Sequence, residues 1–108
     1  MQETELYEPV KALLEGQGYE VKSEVQGCDV VAMRADEPPV IVELKTQLTM
    51  ALLLQGVERL ALSDTVYLAV PRGKGRRWLK TQKGAVKLCR RLGLGLIVVR
   101  LGPGDAFV

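Results

Sequence analysis

Apolar residues recur along this chain with two different periods, and the alternation between the two predicts its elements. Leu6, Val10, Leu13 and Leu14 repeat at helical spacing and Gly16 and Gly18 end the pattern, which predicts a helix over 4–16. Pro9 falls inside it, marking either the first turn of a shorter helix or a kink in a longer one. From Tyr19 to Val25 apolar and polar residues alternate strictly, as in a half-buried strand. Gly27 punctuates a turn. Residues 29–34 (DVVAMR) are then nearly apolar on both faces and read as a central strand. A polar connection with Pro38 and Pro39 is short enough for a hairpin into a third strand, residues 40–45.

The second half changes period twice more. Residues 48–62 carry Leu52, Leu53, Val57, Leu60 and Ala61 on one helical face. Residues 65–70 (TVYLAV) are a buried strand ended by Pro71. A basic, glycine-bearing loop over 72–77 leads to a third helix over 78–92, with Leu79, Val86, Leu88 and Leu92 as candidate core contacts. Gly93 and Gly95 break that helix, and residues 96–101 form a last apolar strand. The expected fold class is α/β, in the order αβββαβαβ: an antiparallel meander feeding two helical crossovers, hence a mixed central sheet flanked by helices. A chain of 108 residues has room for one such core and no second. An end so soon after a strand suggests a domain cut from something longer.

The charged positions of the third strand are where chemistry enters. Side chains two apart on a strand share a face, so Glu43 and Lys45 point one way and Val42 and Leu44 the other. If the strand beginning at Asp29 is its hairpin partner, two carboxylates and an ammonium converge on one patch. Phosphodiester hydrolysis needs a water made nucleophilic near neutral pH and a neutraliser for charge on the phosphate, and a divalent cation can do both. Mg²⁺ takes oxygen ligands, commonly one or two carboxylates completed by waters and phosphate. Asp29 and Glu43 would supply the carboxylates and the Leu44 carbonyl a third ligand, with Lys45 beside the attacking water. The plainer alternative is a solvent-facing Glu–Lys pair and an unrelated Asp at a strand entry.

Composition removes competing chemistries. There is no histidine, which excludes a Ser-His-Asp triad, a Cys-His pair, an HEXXH zinc site and any histidine-based nuclease. Two cysteines, Cys28 and Cys89, cannot build a Cys-rich zinc site; without CxxC spacing they read as buried free thiols of a cytoplasmic protein. No apolar run approaches the roughly eighteen residues of a membrane span, and the acidic N-terminus is unlike a signal peptide, so no membrane partner is expected. The net charge of +2 hides a polarity. Residues 1–64 hold twelve acidic and five basic side chains, whereas 65–108 hold ten basic and one acidic. That asymmetry suggests a polyanion on one side, or simply a solvated helix face.

The order helix, strand, strand with Cys28-Asp29-Val30-Val31-Ala32, strand with Ile41-Val42-Glu43-Leu44-Lys45, helix resembles the core of the PD-(D/E)XK nuclease superfamily. More closely, Leu6-Tyr7-Glu8-Pro9-Val10-Lys11 and Leu44-Lys45-Thr46-Gln47 are similar to a family of uncharacterised bacterial proteins assigned to PD-(D/E)XK-type phosphodiesterases. The resemblance covers roughly residues 3–71. It implies a restriction-endonuclease-like fold, a Mg²⁺- or Mn²⁺-dependent nuclease and a nucleic-acid substrate, DNA above RNA. It further implies that Asp29 and Glu43 bind the metal and that Lys45 is the catalytic lysine. A first-helix carboxylate, Glu8 with Glu3 and Glu5 as alternatives, and a glutamine on the next helix, Gln55 or the nearer Gln47, join the site in many members. Cys28 stands where the literal motif has proline. Lys74, Arg76 and Arg77 would contact phosphates, and Trp78 would stack on a base or simply pack. A homodimer is compatible with the resemblance, and no stretch of sequence marks its interface. The competing classes are a non-catalytic nucleic-acid-binding or assembly module that keeps the fold, and an α/β domain whose active groups lie in a missing C-terminal part.

Overall fold

The computed structural model describes residues 4–100 and the backbone of 106–107. The elements are α1 (Thr4–Gly16), β1 (Glu20–Val25), β2 (Cys28–Met33), β3 (Val40–Leu44), α2 (Met50–Arg59), β4 (Thr65–Pro71), α3 (Gly75–Leu92), β5 (Gly95–Val99) and β6 (Ala106–Phe107). The six strands form one sheet in sequence order. The pairs β1–β2 and β2–β3 are antiparallel, β3–β4 and β4–β5 parallel, and β5–β6 antiparallel. The expected mixed sheet with helical crossovers is therefore present. The two-residue β6, following Gly102-Pro103-Gly104, is an addition to the expected order; a strand so short has no periodicity to announce it.

The core of the domain is divided by the sheet into two clusters, one on each face. Leu6, Val10 and Leu14 of α1 pack on Val30, Ala32, Val40, Val42, Leu44, Ala69, Ile97 and Val99. Leu52 and Leu53 of α2, with Ala85 and Cys89 of α3, cover Ile41, Val66, Leu68, Val70, Leu96 and Val98 on the other face. Helix α1 runs unbroken through Pro9, forfeiting only the bond its missing N–H would make one turn back. The Thr49 hydroxyl caps α2 by accepting from Leu52 N–H at 3.2 Å, which moves the helix start to Met50. Gly93 ends α3 in the left-handed region (φ 79°), as its position predicts.

The core assignment for α3 needs correction. Leu79, Val86, Leu88 and Leu92 are between 37% and 53% exposed, and the helix instead buries Ala85 and Cys89, with Trp78 partly buried against the same core. These three positions, spaced by seven and four residues, form a narrow stripe that fixes the helical phase, and the leucines and valine lie off it. On α2, Val57 is likewise 41% exposed, while Leu52, Leu53 and Gly56 face the sheet; the helix ends at Arg59, and Ala61, expected on its apolar face, is exposed in the turn that follows. Helix α3 also begins three residues earlier than expected, so Arg76 and Arg77 sit in its first turn and not in a loop.

Candidate active site

The site is built where β2 stops behaving as a regular strand. The β2–β3 ladder runs over Ala32↔Val40, Val31↔Ile41 and Val30↔Val42 and stops there. On the other side, the β1–β2 ladder passes from Ser23↔Val30 to Val25↔Cys28 without an Asp29 partner, and Glu24, which would oppose it, is left-handed (φ 52°). The chain rotates at this point. Val30 and Ala32 belong to the α1-face core, yet Cys28, two residues before Val30, belongs to the α2/α3-face core. A regular strand would keep all three on one face.

Side chains take over the hydrogen bonds that the ladder gives up. Leu44 N–H donates to Asp29 Oδ2 at 2.8 Å, and Asp29 N–H donates to Glu43 Oε2 at 2.9 Å. Each carboxylate thus satisfies a backbone donor on the other's strand or beside it. The two acids identified in the sequence are joined in one network, but they open in different directions. Asp29 lines a cavity of about 460 Å³ on the α1 side, with Thr4, Tyr7 and Glu8 of α1, Ser23 and Glu24 of β1, and Leu44. Glu43 is fully buried (0% exposed), and its Oε1 accepts from Arg59 Nε at 2.7 Å.

Arg59 is a member of this network that no sequence pattern singles out. The last residue of α2, it also donates from Nη2 to Gly27 O in the β1–β2 turn at 2.9 Å, so it ties helix, turn and strand together. Its signal in the sequence is faint: one of five basic residues in the acidic half, one helical turn after Gln55. The strand alternation drew notice to Lys45 as the companion of Glu43 instead. Glu43 holds the Arg59 guanidinium above its already high ordinary value through their hydrogen bond. Burial pushes the neighbouring Cys28 thiol up, with Arg59 opposing and the Glu43 and Asp29 carboxylates adding to it.

The remaining predicted positions distribute as follows. Glu8 is exposed and shares the cavity with Asp29; Glu5 is exposed on the same helix, and Glu3 lies outside the described residues. Lys45 follows β3, half-buried, and its N–H donates to Ala69 O at 3.1 Å, carrying the β3–β4 ladder one residue on. Gln55 is half-buried on α2. Lys74, Arg76 and Arg77 are exposed where α3 begins, away from the Asp29 cavity. There a second cavity, about 400 Å³, is lined by Thr46, Gln47 and Leu48 just after Lys45, by Arg72 and Gly73, and by Trp78. It lies beyond the carboxyl ends of the parallel strands β3 and β4, where open α/β sheets usually receive ligands. Trp78 closes against Gly73, at which an added Cβ would stand 2.9 Å from the ring; its Nε1 is buried and has no partner among the described residues.

The donors around Asp29 are all oxygens, which suits a hard divalent cation. Among the described residues no three His, Cys, Asp or Glu side chains are grouped to hold an ion. Two carboxylates, a backbone carbonyl and solvent would have to suffice, as they commonly do for Mg²⁺. In chemistry the donor set fits; in geometry the Glu43 carboxylate is already engaged at both oxygens. Also among the described residues, no helix is long and apolar enough to cross a membrane. No family model, curated protein or solved structure matches this chain.

Proposed function

We propose that this chain is a divalent-metal-dependent phosphodiesterase of PD-(D/E)XK type that hydrolyses nucleic acid, with DNA the favoured substrate and Mg²⁺ or Mn²⁺ the cation. The observation that carries the reading is the exchange between Asp29 and Glu43 at the open end of β2–β3. Two carboxylates displace ladder bonds beside a cavity that also holds Glu8. Continued pairing would satisfy the same backbone donors without burying a carboxylate, which argues that the carboxylates serve another purpose.

In this reading Asp29, Glu43 and the Leu44 carbonyl would hold the cation, which when bound supplies Lewis-acid stabilisation of the phosphate and an acidified water. Lys45 would orient that water and offset phosphate charge, since a flexible ammonium suits both tasks. Glu8 would anchor solvent on the α1 side. The substrate backbone would run along the cavity beyond β3 and β4, which begins at the residue after Lys45, and over the basic start of α3.

A second reading has its own observation: a fully buried Glu43 neutralised by Arg59 is also what a binding module that has abandoned chemistry would show. Cleavage of duplex and single-stranded DNA in Mg²⁺ and Mn²⁺ tests the two. Asp29→Asn, Glu43→Gln and Lys45→Met should each lower cleavage by about a hundredfold or more. Equal cleavage by all four proteins would reject the site. Tight DNA binding without cleavage would leave the binding module.

A further inference from the structure

We propose that Arg59 is a latch on Glu43, a positioning residue whose guanidinium occupies the carboxylate until a divalent cation displaces it; the inference rests on the metal-site reading above. Glu43 sits at 0% exposure, where an uncompensated carboxylate is strongly disfavoured. A cation beside the carboxylate offsets that cost. Arg59 fills that role, with Nε 2.7 Å from Oε1 and Nη2 2.9 Å from Gly27 O. A divalent ion on the same carboxylate would stand close to the guanidinium in a poorly hydrated setting. Two positive groups so placed oppose each other, and one gives way.

The fold provides Arg59 with an exit and Glu43 with none. The Arg59 side chain is 20% exposed and leaves from the last residue of α2, so it can turn to solvent without unwinding the helix. Once there, it still lies at the negative end of the α2 dipole, which favours a cation. Asp29, in contrast, already opens on the cavity while Leu44 N–H holds one of its oxygens. In this reading Asp29 would be open to a cation from the start, whereas Glu43 would become available only as Arg59 leaves. The protein without metal is held closed by its own counter-ion.

The test follows Mn²⁺ binding calorimetrically with the full chain and its Arg59→Met variant. The latch predicts that the variant binds Mn²⁺ on the order of tenfold or more tightly than the wild type. Mn²⁺ should also raise its melting temperature further than it raises that of the wild type. Because this variant leaves Glu43 without its counter-ion and can fail to fold, a second measurement uses the unaltered chain. The Arg59 Nε–H signal is followed by NMR during a Mg²⁺ titration, and the latch predicts that it shifts and exchanges faster with water as Mg²⁺ saturates. An unmoved, protected Nε–H at saturation, or Mn²⁺ binding by Arg59→Met no tighter than by the wild type, overturns the latch and leaves the metal site standing. Absence of cation binding in both proteins overturns the latch and the metal-site reading together.

Discussion

Removing Arg59 should cost this protein far more than removing the charge of Glu43, although each breaks the same ion pair. Arg59→Met leaves a carboxylate at 0% exposure with Asp29 N–H as its remaining hydrogen-bond donor. Stranding a buried charge in this way typically costs about 3–5 kcal/mol. For a domain of this size that is a fall of roughly 15 °C or more in melting temperature. Glu43→Gln keeps an amide oxygen for Arg59, and Arg59 keeps both Gly27 O and its 20% contact with water. The expected loss there is about 1–3 kcal/mol, most of it from the Asp29 N–H that now faces an amide group. The double variant strands no charge, so it should be more stable than Arg59→Met alone, with a coupling of about 2 kcal/mol. Urea unfolding of the four proteins, with the slope of each transition checked for constancy, measures the cycle. A loss under about 1 kcal/mol for Arg59→Met would mean that the pair behaves like an exposed salt bridge, and additive losses would mean that the two side chains do not act together.

Other expectations are simpler to read. Gly95→Ala should destabilise by about 2 kcal/mol or more in thermal unfolding, because the new Cβ would stand 2.3 Å from the Tyr67 ring on the paired strand; an unchanged melt would contradict this packing. Burial holds the Cys89 and Cys28 thiols above their ordinary values, so each gives up its proton less readily than a free thiol as pH rises through about 9. Alkylation of the native protein near that pH should therefore be slow at both and rapid only after denaturation; quick native labelling would refute it. Arg34 donates from Nε and Nη2 to Glu37, at 2.7 Å and 3.0 Å, and holds its carboxyl below the usual range. The unfolded chain then binds the proton more readily, so this pair adds stability above the unfolded carboxyl pKa and loses it as pH falls through the folded one. Glu37→Gln should flatten the acid limb of the stability–pH curve, and an identical limb would exclude the contribution.

Much of the fold was legible because its signals are local. Gly16 and Gly18 end α1, Gly93 ends α3, and the change from helical to strand period places each end of β1 to β5 to within two residues. The phase of α3 was misread because its leucines are conspicuous, whereas the residues that face the sheet, Ala85 and Cys89, carry little hydrophobic signal. The spacing of Asp29 and Glu43 was enough to find the two acids. It could not show that β2 rotates between Asp29 and Val30, because alternation rules assume an even strand. For the same reason Arg59 went unnoticed: its partner is buried on β3 sixteen residues earlier, and a pair set by tertiary packing leaves no period in the sequence.

The two amides that serve the carboxylates give the site a built-in gauge. Asp29 N–H and Leu44 N–H owe their protection to side chains and not to the sheet ladder, so any ligand that draws a carboxylate away uncovers a specific amide. Exchange at Leu44 reports on Asp29, and exchange at Asp29 reports on Glu43. Comparing their rates during a titration therefore tells which acid a ligand has engaged, and in which order, without any substitution in the site.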